Sequence, residues 1–156
     1  MMMKPLIALL LTAWSTSTLA CQAPTPDSLR AAWGAVRAAA LLDEPGASAR
    51  LYRFPLQMLS AFKGDRPLRV SRAAFNEHYA ELFGPNMEFR QNLKNASGGE
   101  YFGRIDFDDK ACRLKWPVRV YDYNFTYDQK AGWLVQSIYM PEAYGLFKDG
   151  TTAGIR

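Results

Sequence analysis

The chain has 156 residues, 49% of them hydrophobic and 13% aromatic, with 19 Lys+Arg against 15 Asp+Glu. A positive excess this small and scattered excludes a dedicated nucleic-acid binder, and this aromatic content excludes a disordered chain. Two cysteines and one histidine are too few for a four-ligand Cys/His zinc site, so one small globular domain is expected.

Residues 1–20 read MMMKPLIALLLTAWSTSTLA. One positive charge, Lys4, precedes the apolar stretch from Leu6, and small and polar residues run down to Thr18-Leu19-Ala20. This is the pattern of a secretory signal peptide, and the apolar run is too short to span a bilayer. Cleavage after Ala20 makes Cys21 the first mature residue. Two readings of it stand. Cys21 carries a lipid, as in bacterial lipoproteins, although Thr18-Leu19-Ala20 departs from the usual lipoprotein box by placing the leucine one position late. Alternatively, Cys21 pairs with Cys112 in an oxidising periplasm. The expected location is the periplasm, with an outer-membrane anchor under the first reading.

Residues 21–27 are expected to be a tether. Within it, Thr25-Pro26-Asp27 carries a helix-start pattern, since Thr25 can cap, Pro26 suits the first turn and Asp27 suits the positive helix end. Leu29, Trp33, Val36 and Ala40 recur at spacings of three and four, which predicts an amphipathic helix. Asp43-Glu44-Pro45-Gly46 breaks it, and Ala47–Arg53 is expected to form a helical turn or two. Phe54–Leu59 reads as a strand entered through Pro55, at an edge or a strand start. Lys63–Pro67 is a turn cluster. Ser71 opens a helix with Phe75, Tyr79, Leu82 and Phe83 on its apolar face, and Gly84 stops it. Pro85 starts a further short helix carrying Met87, Phe89 and Leu93.

The last third predicts strands. Residues 101–107 alternate, with Tyr101, Gly103, Ile105 and Phe107 on one side. Asp108-Asp109-Lys110 makes a turn. In the run 111–127 the apolar phase is even at Leu114, Trp116, Val118 and Val120, then odd at Tyr121, Tyr123, Phe125 and Tyr127. A strand has period two, so the switch demands a bulge or strong bend near Val120–Tyr121. Asp128–Gly132 is a hairpin loop, Trp133–Met140 the returning strand, and residues 149–156 a frayed tail. Helices first and strands last give an α+β domain over residues 28–148, a curved antiparallel sheet packed on N-terminal helices.

These pieces resemble the secreted bacterial branch of the nuclear transport factor two-like superfamily, the cone-shaped fold also seen in ketosteroid isomerase and SnoaL. The resemblance is carried by a helix followed by Phe54-Pro55-Leu56, then Phe75-x-x-x-Tyr79-x-x-x-Phe83, then Gly103-Arg104-Ile105 opening a strand, then a hairpin closing on Gly132-Trp133-Leu134. It covers Ser28–Met140. It implies a bent sheet cupping a pocket closed by helices, and a homodimer formed through the sheet. Enzymes of the superfamily place an acidic base and an oxyanion donor in that pocket. Asp106, Asp122 and Tyr123 are the right chemical types, but no motif makes them family equivalents.

Three further groups of residues are candidates. His78, the one histidine, stands beside the apolar face of its helix, where it is either a general base or a partly exposed helical side chain. Asp106, Asp108 and Asp109 lack the spacing of a calcium loop. They are a solvated turn or an acidic tip that enters a cationic partner. Tyr121, Tyr123, Phe125 and Tyr127 share a strand face, as an interface or as core lining. No phosphate loop, Cys-x-x-Cys, Gly-x-Ser-x-Gly or His-Glu-x-x-His is present, so no cofactor, metal or enzymatic activity is expected.

The expected function is an exported envelope binding protein, in its sharpest form an immunity protein that neutralises a periplasm-acting toxin. Asp106, Asp108, Asp109 and the Tyr121–Tyr127 face would be its contact residues. The alternatives are a carrier or sensor of a small apolar ligand and an isomerase- or dehydratase-like enzyme with a pocket carboxylate.

Overall fold

A computed structural model describes residues 21–84, 88–96 and 101–156, apart from the side chain of Phe89. The expected leader, residues 1–20, lies outside the described residues, as does the expected helix start at Pro85–Met87.

Helix α1 spans Pro26–Leu41 and begins inside the expected tether. Thr25 Oγ1 accepts from the Ser28 amide and Ser28 Oγ accepts from the Thr25 amide, both at 3.1 Å, so two otherwise orphaned donors are satisfied. Leu29, Trp33, Val36 and Ala40 are its buried residues, as their spacing requires. The short α2, Pro45–Ala49, follows the break. Strand β1, Tyr52–Leu59, starts two residues earlier than expected and continues through Pro55. β2, Leu68–Val70, was not anticipated, because three residues carry too little alternation to read.

The helix expected after Ser71 divides at His78 into α3, Arg72–Glu77, and α4, Tyr79–Phe83. α5 spans Glu88–Asn95. Next come a small hairpin of β3, Phe107–Asp108, and β4, Arg113–Leu114, then β5, Val118–Val120, β6, Tyr123–Asp128, β7, Gly132–Tyr139, and α6, Pro141–Phe147. The expected strand over 101–107 is mostly irregular. It touches β5 through a bridge from Phe102 to Val120 and a 2.7 Å bond from the Gly103 amide to the Arg119 carbonyl. A Cβ on Gly103 would stand 3.0 Å from that carbonyl oxygen, so the close approach favours glycine.

The class is α+β, with the helices on one face of an open five-stranded sheet in the order β2-β1-β7-β6-β5. One pair departs from the antiparallel expectation, since β1 runs parallel to β7. Those two strands are far apart in sequence, so no hairpin dictates their direction. The phase switch in 111–127 is a complete reversal of the chain. Val120 pairs with Tyr123, which leaves Tyr121 and Asp122 as a two-residue turn with Tyr121 at φ 57°. Crossing such a turn moves the inward parity from even to odd, so Val118, Val120, Tyr123 and Phe125 all face the core.

Strand registers sort the sheet into rows. Leu68, Met58, Ile138, Tyr123 and Val120 form one row, buried throughout. The next row is Arg69, Gln57, Ser137, Asn124 and Arg119, which faces away from the helices. At a bulge in β7, Asn124 pairs with Ser137 and Phe125 with Val135, so Gln136 is the extra residue.

The expected frayed tail is instead docked. The Arg69 amide donates to the Arg156 carbonyl at 2.6 Å, the Ser71 amide donates to the Gly154 carbonyl at 2.8 Å, and Ile155 is 1% exposed. The tail covers the free edge of β2, which removes a template for unwanted strand pairing. Gly154, at φ 78°, permits this approach, because a Cβ there would meet Ser71 Oγ at 2.5 Å.

Candidate functional site

The space between helices and sheet is filled. Phe75 meets Tyr52, Phe54, Tyr79 and Phe83 at ring centroid distances of 4.9–5.6 Å, and Trp33 packs edge-on against Tyr123 at 5.2 Å. Tyr52 and Tyr123 interact through their hydroxyls, and burial pushes both well above the usual phenol range. The Tyr79 hydroxyl lies 2.9 Å from Ser48 Oγ, and burial raises it too. Among the described residues, the buried polar or charged side chains are Ser48, Arg90 and Ser137, with no carboxylate.

This packing corrects the tyrosine-face expectation. Tyr123 and Phe125 are 0% exposed, so they offer no surface to a partner. Tyr121 is half-buried and stacks on Trp33, and Tyr127 is half-buried between Trp133 and Phe107. The face lines the core. Aromatic alternation looks the same in a core strand and an interface strand, so the sequence could not separate them.

The acidic hairpin is a charge-compensated turn. Asp106 pairs with Lys115 at 3.2 Å. Asp108 accepts from the Ala111 and Lys110 amides, both at 3.0 Å, and these bonds hold its carboxyl below the ordinary range. Asp109 is exposed, but Lys110 and Arg113 share the hairpin. The tip therefore offers no net acidic field to a cationic partner. It does anchor the segment that leads into α1, since Cys112 is bonded to Cys21 with Cα atoms 5.6 Å apart. A sulfur held in that bond carries no thioether-linked lipid. Gln22 and Gln129 pair nearby, so the expected tether is pinned down.

His78 is 20% exposed, with Nδ1 3.5 Å from Glu81 Oε1 and its ring against Phe147. Asp122 lies in a surface cleft of about 280 Å³ with Glu88, Asn92, Tyr139 and Glu142. Burial raises its pKa, and Arg119, 3.7 Å away, partly offsets this. Among the described residues, no group of three or more acids, histidines or cysteines is placed to hold a metal. None of their helices is long and apolar enough to cross a membrane.

The outward face of the sheet gathers functional-type side chains that sequence reasoning missed. Its row spans four strand gaps of about 4.8 Å, about 19 Å in all. Asn124 Nδ2 donates to Ser137 Oγ at 3.0 Å in the middle, Gln57 is half-exposed, and Arg69 and Arg119 stand exposed at the ends. Beside the β1–β2 end lies a depression of about 570 Å³ lined by residues including Arg53, Pro55, Gln57, Pro67, Arg69 and Gln136. A second depression of about 570 Å³, lined by Ser71, Gly154 and Arg156, shares Pro55 and Arg69 with the first. Alternate outward positions were readable in each strand. Their alignment depends on register between strands distant in sequence.

The chain matches no family model, no curated protein and no solved structure.

Proposed function

We propose that this chain is an exported binding protein of the bacterial envelope that neutralises a periplasm-acting toxin by direct contact. The observation that carries the reading is the contrast between the two faces of one sheet. The inner face is plugged by aromatic rings. The outer face presents arginines and amides on a rigid ladder. Such a wall suits recognition of a surface, where preorganised side chains lower the cost of association.

The disulfide supports the exported setting, because such bonds persist outside the reducing cytoplasm. Helices ahead of a bent sheet support the nuclear transport factor two-like reading. Aromatic packing between helices and sheet weighs against an apolar-ligand site there, which leaves a carrier only the surface groove of about 560 Å³ lined by Pro24, Leu29, Phe102 and Ile105. No carboxylate lies among the described buried side chains, so an isomerase-like enzyme would have to use Asp122, whose raised pKa arises in a surface cleft.

The test is protection. The purified oxidised chain serves as bait for secreted proteins of competing cells, and each captured protein is then directed to the periplasm of a sensitive strain. Growth restored by co-export of this chain supports the reading. A captured protein that is harmless in the periplasm, or toxicity that this chain does not relieve, counts against it.

A further inference from the structure

We infer that the β1–β2 end of the outward sheet face, built around Arg53, Arg69 and Arg156, is a docking trench for an acidic segment of a partner protein. The inference deepens the binding-protein reading and rests on it.

The first argument is charge. Five other arginines are occupied at home, while Arg50, Arg66, Arg104 and Arg113 also enter no ion pair among the described residues but line neither depression. Arg90 holds Asp43 and several carbonyls, Arg37 bonds the Leu93 and Lys94 carbonyls, and Arg72 bonds the Ala49 carbonyl and covers the Phe54 ring. Arg30 pairs with Asp27 and Arg119 with Asp122. Among the described residues, Arg53, Arg69 and Arg156 enter no ion pair, and no carboxylate side chain lines either depression. Asp128, the acid whose charge feels Arg53, is already engaged by the Lys130 and Ala131 amides at 2.8 Å. Three guanidinium groups with unspent donors therefore border one continuous surface, and a guanidinium fork matches a carboxylate with two parallel hydrogen bonds.

The second argument is the company these groups keep. Pro55, Pro67 and Phe54 supply apolar surface, and Gln57 and Gln136 supply amides able to bond a peptide backbone. That mixture suits a polypeptide. A headgroup layer or nucleic-acid strand is gripped chiefly by dense Lys/Arg charge, and this chain has only 19 basic against 15 acidic residues. The third argument is rigidity. Arg69 is held on both backbone sides, by its pairing with Gln57 and by its bonds to Arg156. The sign is opposite to that expected from the acidic hairpin, so the partner segment is acidic.

The test uses the oxidised chain from Cys21 and a fluorescent, Glu-rich twelve-residue peptide containing one proline and one tyrosine, with its Gln counterpart as a neutral control. Variants are R53E/R69E, the milder R53Q/R69Q, and K63E, which makes a charge change in an exposed turn that lines neither depression. Thermal melts confirm folding of each. Expected is binding of the acidic peptide alone, weakened about tenfold by R53E/R69E, less by R53Q/R69Q, and little by K63E. Three results overturn the inference: no peptide binding, equal loss with K63E, or binding of phosphatidylglycerol vesicles in place of the peptide. A dimer in sedimentation that R69E dissolves also overturns it, because a second copy then occupies the face. The protection assay separates the two proposals. Wild type that protects alongside an equally protective R53E/R69E sinks the trench alone. Trench-mapped peptide binding without protection sinks the toxin reading alone.

Discussion

Arg90 and Asp43 meet across 47 residues of chain, with Arg90 Nη2 donating to Asp43 Oδ2 at 2.8 Å. The same guanidinium donates to the carbonyls of Ala40, Leu41 and Phe83, at 3.3, 3.0 and 3.1 Å. Those carbonyls end α1 and α4, where helical acceptors have no partner of their own. One side chain from α5 thus closes two helix ends and fastens three helices together.

Replacing Arg90 should therefore be costly. Arg90 is 6% exposed, and Arg90→Ala strands several acceptors, with an expected loss of about 2–4 kcal/mol in urea unfolding. Asp43→Asn should cost less, since that carboxylate is exposed and the carbonyl bonds survive.

The same pair predicts a pH dependence. Arg90 lowers the Asp43 pKa, mainly by hydrogen bonding, and backbone amides lower Asp108 and Asp128. A carboxyl lowered in the folded state lends stability above its unfolded pKa of about 3.9, and the contribution disappears as pH falls through the folded value. Asp122 runs the other way. Burial raises it, so its penalty sets in as pH rises through and above the ordinary carboxylate range. Asp122→Asn should then raise the melting temperature at pH 7 relative to wild type, and the gain should vanish near pH 3. A gain unchanged across that range would contradict this account.

Tyr123 distinguishes core from interface. Tyr123→Ala should cost about 3–5 kcal/mol, as for other large core truncations. Tyr123→Phe, which removes only the hydroxyl and its interaction with Tyr52, should cost about 1 kcal/mol or less. Unfolding midpoints for both variants, with the partner absent, make the check.

The disulfide closes a sequence separation of 91 residues. Breaking it with Cys21→Ala/Cys112→Ala should lower stability by up to about 4–5 kcal/mol on the loop-entropy argument. Iodoacetamide should label neither cysteine of the native chain before reduction. Mass spectrometry of the native chain should find Cys21 and Cys112 linked, with no lipid on Cys21.

Gly154→Ala tests the docked tail. The new Cβ would sit 2.5 Å from Ser71 Oγ at a backbone angle unsuited to L side chains, so a loss of about 1–2 kcal/mol is expected. Faster aggregation should accompany it as the β2 edge opens.

Local physics explains what could be read early. The Thr25 cap and the Leu29–Ala40 stripe mark α1 because capping and helical spacing act within a few residues. The parity switch at Val120–Tyr121 marks a bend because inward positions in a strand recur every second residue. The possible Cys21–Cys112 bond was legible because only two thiols exist. The acids near 106–109 left a solvated turn and an acidic tip open, because their compensation by Lys115 and backbone amides depends on how the turn closes.

By itself, the amino-acid order determined an α+β domain, its main helix and the phase of its strands, since each follows from contacts between near neighbours. Tertiary structure alone decided that β1 runs beside β7, that the tail seals β2, and that Arg53, Arg69 and Arg156 share one trench. Those outcomes join residues far apart in the chain. Pairing across such distances is set by the whole packed sheet, where shifting β1 or β2 by one residue would turn its arginine inward.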